Sequence, residues 1–363
     1  MGRPISDRAA WAKAMQQPYF QKQLKDAATY ATQPIPDLEA ATKTASINLS
    51  LVPYEMRTKR LNAFVIAEGA QDDGQYLPLI EAELQAILTE RDWSRGYPHE
   101  IDLGAAARAW TVATADYWLG DKLKPETRQR IRDEMRKRIF DPYVAYIKRW
   151  SGGYPNETSK AYWGWERGAG NWDPVCTSGV LGAALTLLDS PQERAFYVQT
   201  AENSMVYYLM GQGDDGYCFE GVGYWDYGFG CYLCLAEMLY DQTQGRINLF
   251  QGDKVRNLAL FLTRMQMLPG VYAAWGDVWH LGNGSPEETM EMINAAGAWA
   301  GPTSIRPSRS CLPPIPAATA YSASASSAFR CRNMEPAWWP AHPPHRKRRR
   351  PARYAISSRT GAC

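Results

Sequence analysis

The stretch "IDLGAAARAWTVATADYWLGD", Ile101 to Asp121, decides the class of fold. Ile101, Leu103, Ala107, Trp110, Val112, Ala113, Tyr117 and Trp118 recur at helical spacing and make one broad apolar face, and Gly120 stands where such a helix would end. The next segment, "KPETRQRIRDEMRKRIFDPYVAYI", opens on Pro125 and Glu126 and carries Ile131, Met135, Ile139 and Val144 along one side of a charged helix. The same period runs through "YLPLIEAELQAILTE", "PVCTSGVLGAALTLLD", "SPQERAFYVQTAENSMVYYLM", "YGFGCYLCLAEMLYDQ", "GDKVRNLALFLTRMQML" and "SPEETMEMINAAGAWA". Loops rich in Gly, Trp and Tyr separate these segments, and before Gly301 almost no stretch alternates as a strand does. The expectation is an all-α body of antiparallel helix pairs. Pairs of this length closing on themselves give an incomplete α/α toroid whose loops line a central cleft.

With 363 residues, 45% of them hydrophobic, the chain can bury a large core. It divides into a helical or extended lead-in over 1–58, the toroid over 59–303 and a tail over 304–363. From Ser304 onward eleven Lys and Arg face a single acid, Glu335, which leaves 29 basic and 37 acidic residues before it and a formal charge of −8 on that larger part. The small positive charge of the whole chain therefore says little about partners. Nine prolines and ten arginines give the tail a texture foreign to the body. One reading is a disordered basic tail whose "HRKRRRPAR" binds nucleic acid or serves as an address; the favoured one is translation of GC-rich DNA out of frame after about residue 303. No nucleic-acid partner is expected.

The start, "MGRPISDRAAWAKAMQQ", lacks the apolar core of a secretory signal, and no run of about 18 apolar residues could span a bilayer, so a soluble cytoplasmic chain without a membrane partner is expected. The seven cysteines are odd in number, and the close pair Cys231 and Cys234 has no second pair beside it to complete a zinc site. They read as buried thiols, with no cofactor expected.

Two loops carry the candidate chemistry. In "WERGAGNWDPVC", Asp173 and Pro174 fit the cap and first position of a helix, which leaves Asn171 at the helix mouth, where backbone N–H groups and the dipole favour an anion. Fifty-three positions later, "DDGYCFEGVGYWDYGFG" sets Tyr224 and Tyr227 among glycines beside Glu220 and Asp226. The same aromatics are also what an inter-helix turn packs, and Trp172, Trp225 and Tyr227 read as packing or sugar-stacking rings.

In this order and at this separation the two motifs resemble the heparinase II/III-like family of polysaccharide lyases, which includes alginate and oligo-alginate lyases. The stretch from His99 to Val144 resembles the helical region before those motifs, and the likeness covers roughly Tyr76 to Ala300. It implies an α/α toroid, a C-terminal β-sandwich, and β-elimination at a uronic acid of an acidic polysaccharide or oligosaccharide. Such an elimination must neutralise the carboxylate, remove the weakly acidic hydrogen beside it and protonate the departing oxygen. Carried over, Asn171 neutralises the carboxylate and Tyr224 is the catalytic phenol, with Tyr227 the alternative; Arg167 is the candidate charge that lowers the phenol's pKa. Trp172, Arg167, Glu220, Trp225 and His280 are the expected substrate contacts.

The chain departs from the family in two places. Trp172 stands where some lyases carry His, and no His-rich segment follows Thr303, so the β domain and any structural metal in it are expected to be missing. Alternatives to a lyase are a toroid glycoside hydrolase using Glu220, Asp226 and Asp277, or a glycan-binding protein without turnover.

Overall fold

The computed structural model describes residues 3–37, 52–94, 101–151, 165–268, 271–273 and 276. Their helices are α1 (Arg8–Ala14), α2 (Pro18–Tyr30), α3 (Val52–Gln71), α4 (Leu77–Leu88), α5 (Leu103–Leu119), α6 (Pro125–Met135), α7 (Asp141–Ser151), α8 (Trp172–Leu187), α9 (Pro191–Met210), α10 (Val222–Gln242), α11 (Asp253–Ala259) and α12 (Phe261–Met265). A π-helical turn, Arg136–Phe140, joins α6 to α7, and a 3-10 turn, Trp165–Arg167, precedes α8. The strands described, β1 (Gln266–Leu268) and β2 (Val271–Tyr272), form one antiparallel ribbon. The expected all-α class holds, and no helix among the described residues is long and apolar enough to cross a membrane.

Local chemistry accounts for several of the helix ends. The Asp102 carboxylate accepts from the Ala105 N–H at 2.8 Å to open α5, and Gly120 closes it at φ 52°, a left-handed conformation that a side chain would strain. Pro125 and Pro191 occupy the first positions of α6 and α9, and Ser190 accepts from the Glu193 N–H at 3.3 Å.

Two segments differ from the sequence pattern. The single helix expected over 252–268 is interrupted at Leu260 and ends at Met265, after which the chain turns into β1. The helix expected from Tyr227 begins at Val222, so Tyr224, Trp225, Asp226 and Tyr227 are helical. The segment 285–300, also read as a helix, lies outside the described residues.

Helix α5 is buried on nearly every side rather than along one face. Arg108, Thr111, Thr114 and Asp116 are as inaccessible as its alanines, and Tyr117 is its exposed residue. Its run of small side chains lets α3, α6 and α8 pack around it. Helix α8 is the second hub, packed against α5, α9 and α10. The contact with α5 leaves no room for a side chain: a Cβ at Gly179 would lie 2.5 Å from the Ala106 carbonyl oxygen, and one at Gly182 would lie 2.2 Å from the Trp110 ring.

Around α3 the core is aromatic and ionic. Gly69 sits against the Trp11 ring of α1, which meets Trp118 edge-on at 5.1 Å and Phe20 of α2 at 6.3 Å. The first helices thus belong to the same core, and position 58/59 falls inside α3. Glu90 accepts from Arg57 at 3.2 Å and from Arg108 at 2.7 Å, while Arg60 donates to Glu83 at 2.5 Å. Buried charges of this kind are tolerated only when paired, and losing one partner is costly.

Two expected outcomes test this packing. Gly182→Ala gains about 1 kcal/mol of helix propensity but forces Trp110 to move, and overpacking costs roughly 1–3 kcal/mol, so a lowered melting temperature is expected. An unchanged or raised value would contradict the close approach of α5 and α8. On α10, burial pushes the Glu237 carboxyl up to about 7, with Asp241 adding to the shift. Its stability contribution is therefore complete below its ordinary value of 4.5 and is lost as pH rises through about 7. Melting curves between these limits should decline less steeply for Glu237→Gln than for the native chain.

Candidate functional site

Three helix ends meet beside the Gly168–Asn171 loop. Gly211, at the end of α9, lies so close to Ala169 that a Cβ there would meet the alanine methyl at 2.0 Å. The Gln212 amide donates to the Ala169 carbonyl at 2.8 Å and to the Tyr208 carbonyl at 3.3 Å. From the other side α10 presents Gly228, whose added Cβ would stand 3.0 Å from both Cα and Cβ of Asn171 and 3.4 Å from the Tyr208 hydroxyl. A bare backbone at 228 is what lets α10 reach Asn171.

Asn171 precedes α8 and is 3% exposed. Its side chain does not cap the helix. Its backbone N–H donates to Glu220 Oε2 and its Nδ2 to Glu220 Oε1, both at 2.8 Å. Gly170 leaves space for that carboxylate, since a Cβ there would meet Glu220 Oε1 at 3.2 Å. The expectation that Asp173 caps α8 is not met. Asp173 lies inside the first turn, fully buried, where its carboxylate accepts from the Ser204 hydroxyl of α9 and from Thr177 at 3.2 Å. The Ser204 hydroxyl oxygen also lies 2.9 Å from the Glu166 carbonyl oxygen, and the Glu166 carboxylate accepts from the Tyr146 phenol. Burial holds the Asp173 carboxyl well above the usual carboxylate range; the bonds from Ser204 and Thr177 oppose the shift, and the Glu166 charge adds to it.

Polar atoms accumulate here beyond what the helices need. Asn171 Oδ1, Asp173 Oδ2, the Tyr208 hydroxyl and Gln212 Oε1 are all buried without a hydrogen-bond partner among the described residues. Burial raises the Tyr208 phenol well above its ordinary value, with Cys218 and Glu220 next among the causes. Similar atoms occur on α5, at Arg108, Trp110, Thr111 and Thr114, so what distinguishes this cluster is that its members face one loop, Gly168–Asn171.

The phenols of the second motif divide by position. Tyr224 lies one turn before Gly228 and hence on the same side of α10, the side that abuts Asn171, and it is half-buried. Tyr227 is 4% exposed. Trp225, expected to touch substrate, is a core residue: it has no exposed surface, donates its indole N–H to the Leu258 carbonyl at 2.8 Å and stacks on Phe229 at 5.7 Å. Trp172 is partly buried against the core. The Arg167 guanidinium lies 5.6 Å over the Tyr207 ring of α9. His280 and Asp277 lie outside the described residues, as does the whole of 304–363. Among the described residues no group of three or more His, Cys, Asp or Glu could hold a metal ion. Burial pushes the Cys218 thiol up to about 12 and holds those of Cys176 and Cys231 well above the usual thiol value, which removes them as nucleophiles near neutral pH.

Sequence reading missed Tyr208, Gln212, Ser204 and Asp173 as members of this cluster. Tyr208 and Ser204 fall on an ordinary helical period in α9, and no local pattern distinguishes them from core residues. No protein-family model matches the chain, and no curated protein matches it.

Because the buried Asp173 carboxyl favours its neutral form, Asp173→Asn is expected to cost little near pH 5 and to gain stability relative to the native chain as pH rises. Asp173→Ala removes the carboxylate that Ser204 and Thr177 share and should be less stable than Asp173→Asn by about 1–3 kcal/mol at any pH, since neither variant titrates at this position. A constant difference in melting temperature between the native and Asn chains from pH 5 to 9 would contradict the assignment.

Proposed function

We propose that the chain is the helical, toroid-like part of a polysaccharide lyase that cleaves an acidic, uronate-containing glycan by β-elimination. The observation that carries this reading is the approach of α10 to Asn171 through Gly228, with Tyr224 one turn away on the same side and unpaired buried polar groups around them. An amide donor at a helix mouth suits the uronate carboxylate, where it stabilises the charge that develops as the neighbouring hydrogen leaves. A phenol on the facing helix is the group that removes that hydrogen or protonates the departing glycosidic oxygen. The helix positive end behind Asn171 favours the enolate-like charge. The proposed roles are therefore carboxylate neutralisation for Asn171 and acid/base work for Tyr224. Tyr227 is the alternative phenol.

Incubation with alginate, heparan sulfate, hyaluronan and pectate is expected to yield an unsaturated uronyl product from one of them, read by its ultraviolet absorbance. Tyr224→Phe should lower the rate by about 10²–10⁴, the usual contribution of a positioned acid or base, while Tyr227→Phe stays within about tenfold of the native rate. Reducing ends appearing without a new double bond would replace the lyase by a glycoside hydrolase.

A further inference from the structure

We infer that Glu220 is a positioning residue, acting on substrate through Asn171 and not by its own contact; the inference rests on the lyase reading above. One carboxylate grips two donors of one residue, the Asn171 backbone N–H and Nδ2, at 2.8 Å each. Bonds from main chain and side chain to the same group fix both side-chain torsions of Asn171 and decide which end of its amide faces which way. Nδ2 is turned toward the Phe219–Glu220 loop, and Oδ1 is left on the opposite, buried side. One of the two Nδ2 hydrogens is committed to Glu220, so the clamp sets the direction of the second, the one a uronate carboxylate would receive.

The clamp is itself held. Gly170 gives the carboxylate room on the Asn171 side, and on the other a Cβ at Gly276 would lie 2.6 Å from the Glu220 carbonyl oxygen, so the chain at 276 packs directly on the Glu220 backbone. The residue after Glu220, Gly221, takes φ 88° and opens α10. Glu220 thus ties the mouth of α8 to the start of α10, the two elements that carry Asn171 and Tyr224.

A double-mutant cycle in turnover of the uronate polymer, with melting temperatures measured alongside, tests the role. Glu220→Ala is expected to lower kcat about 10²-fold, the scale of an ångström-sized misplacement of a reacting group, and to have no further effect in an Asn171→Ala background. Glu220→Asp, which keeps the charge but draws the carboxylate back by one methylene, should recover part of the loss. Melting temperatures within a few degrees of the native value for Glu220→Asp would separate misplacement from unfolding. Equal losses from Glu220→Ala in both backgrounds would overturn the proposal and make Glu220 a direct participant. A native chain without turnover on any of the polymers overturns the lyase reading itself, and the catalytic role of Glu220 with it, whereas an active native chain with an additive cycle overturns the role of Glu220 alone.

Discussion

Helix α8 can lie as close to α5 as it does because glycines stand at two points of their contact. Gly179 rests on the Ala106 carbonyl and Gly182 under the Trp110 ring, at distances no Cβ could share. Groups this close exchange dispersion contacts, and interiors packed to that density do not adjust continuously when one group moves. With α5 enclosed by α3, α6 and α8, the position of α8 is set from its middle outward, and its first turn has little freedom. Asn171 and Asp173 stand on that turn.

The same device recurs at the site. Gly228 lets α10 approach Asn171 as Gly179 lets α8 approach α5, and Gly211 brings the end of α9 onto Ala169. Polar groups then follow from geometry. Side chains that would be solvated at isolated helix ends are enclosed where three ends meet, and burial moves their protonation: Asp173 and Tyr208 are both driven toward neutrality. Burying the Asp173 carboxyl and leaving amide oxygens without partners costs folding energy that the close packing of the three helices must offset.

Much of the helical framework was legible from the chain alone, because helical period, prolines at first turns and the Asp102 and Ser190 caps act over a few residues. Legibility failed where neighbours across the fold chose between equal local options. Asp173 has the right type and place for a cap, yet Ser204 and Thr177 offer its carboxylate partners inside the core. Trp225 reads equally as a packing or a sugar-stacking ring, and Phe229 and Leu258, by enclosing it, decide for packing. The strand at Gln266–Leu268 follows a segment whose apolar period continues without a break, and its partner at Val271–Tyr272 is what makes it a strand.

What the sequence by itself determined is the all-α class, the run of helices from α4 to α10, and the two motifs that hold Asn171 and Tyr224. Each is a matter of residues within one or two turns of each other, where type and spacing suffice. Only the tertiary structure decided that Glu220, 49 positions along the chain, reaches Asn171, and that Tyr208 shares the space at Gly228. Those meetings depend on how closely two helices can approach, and that distance is set by which glycines happen to face each other once the core has closed.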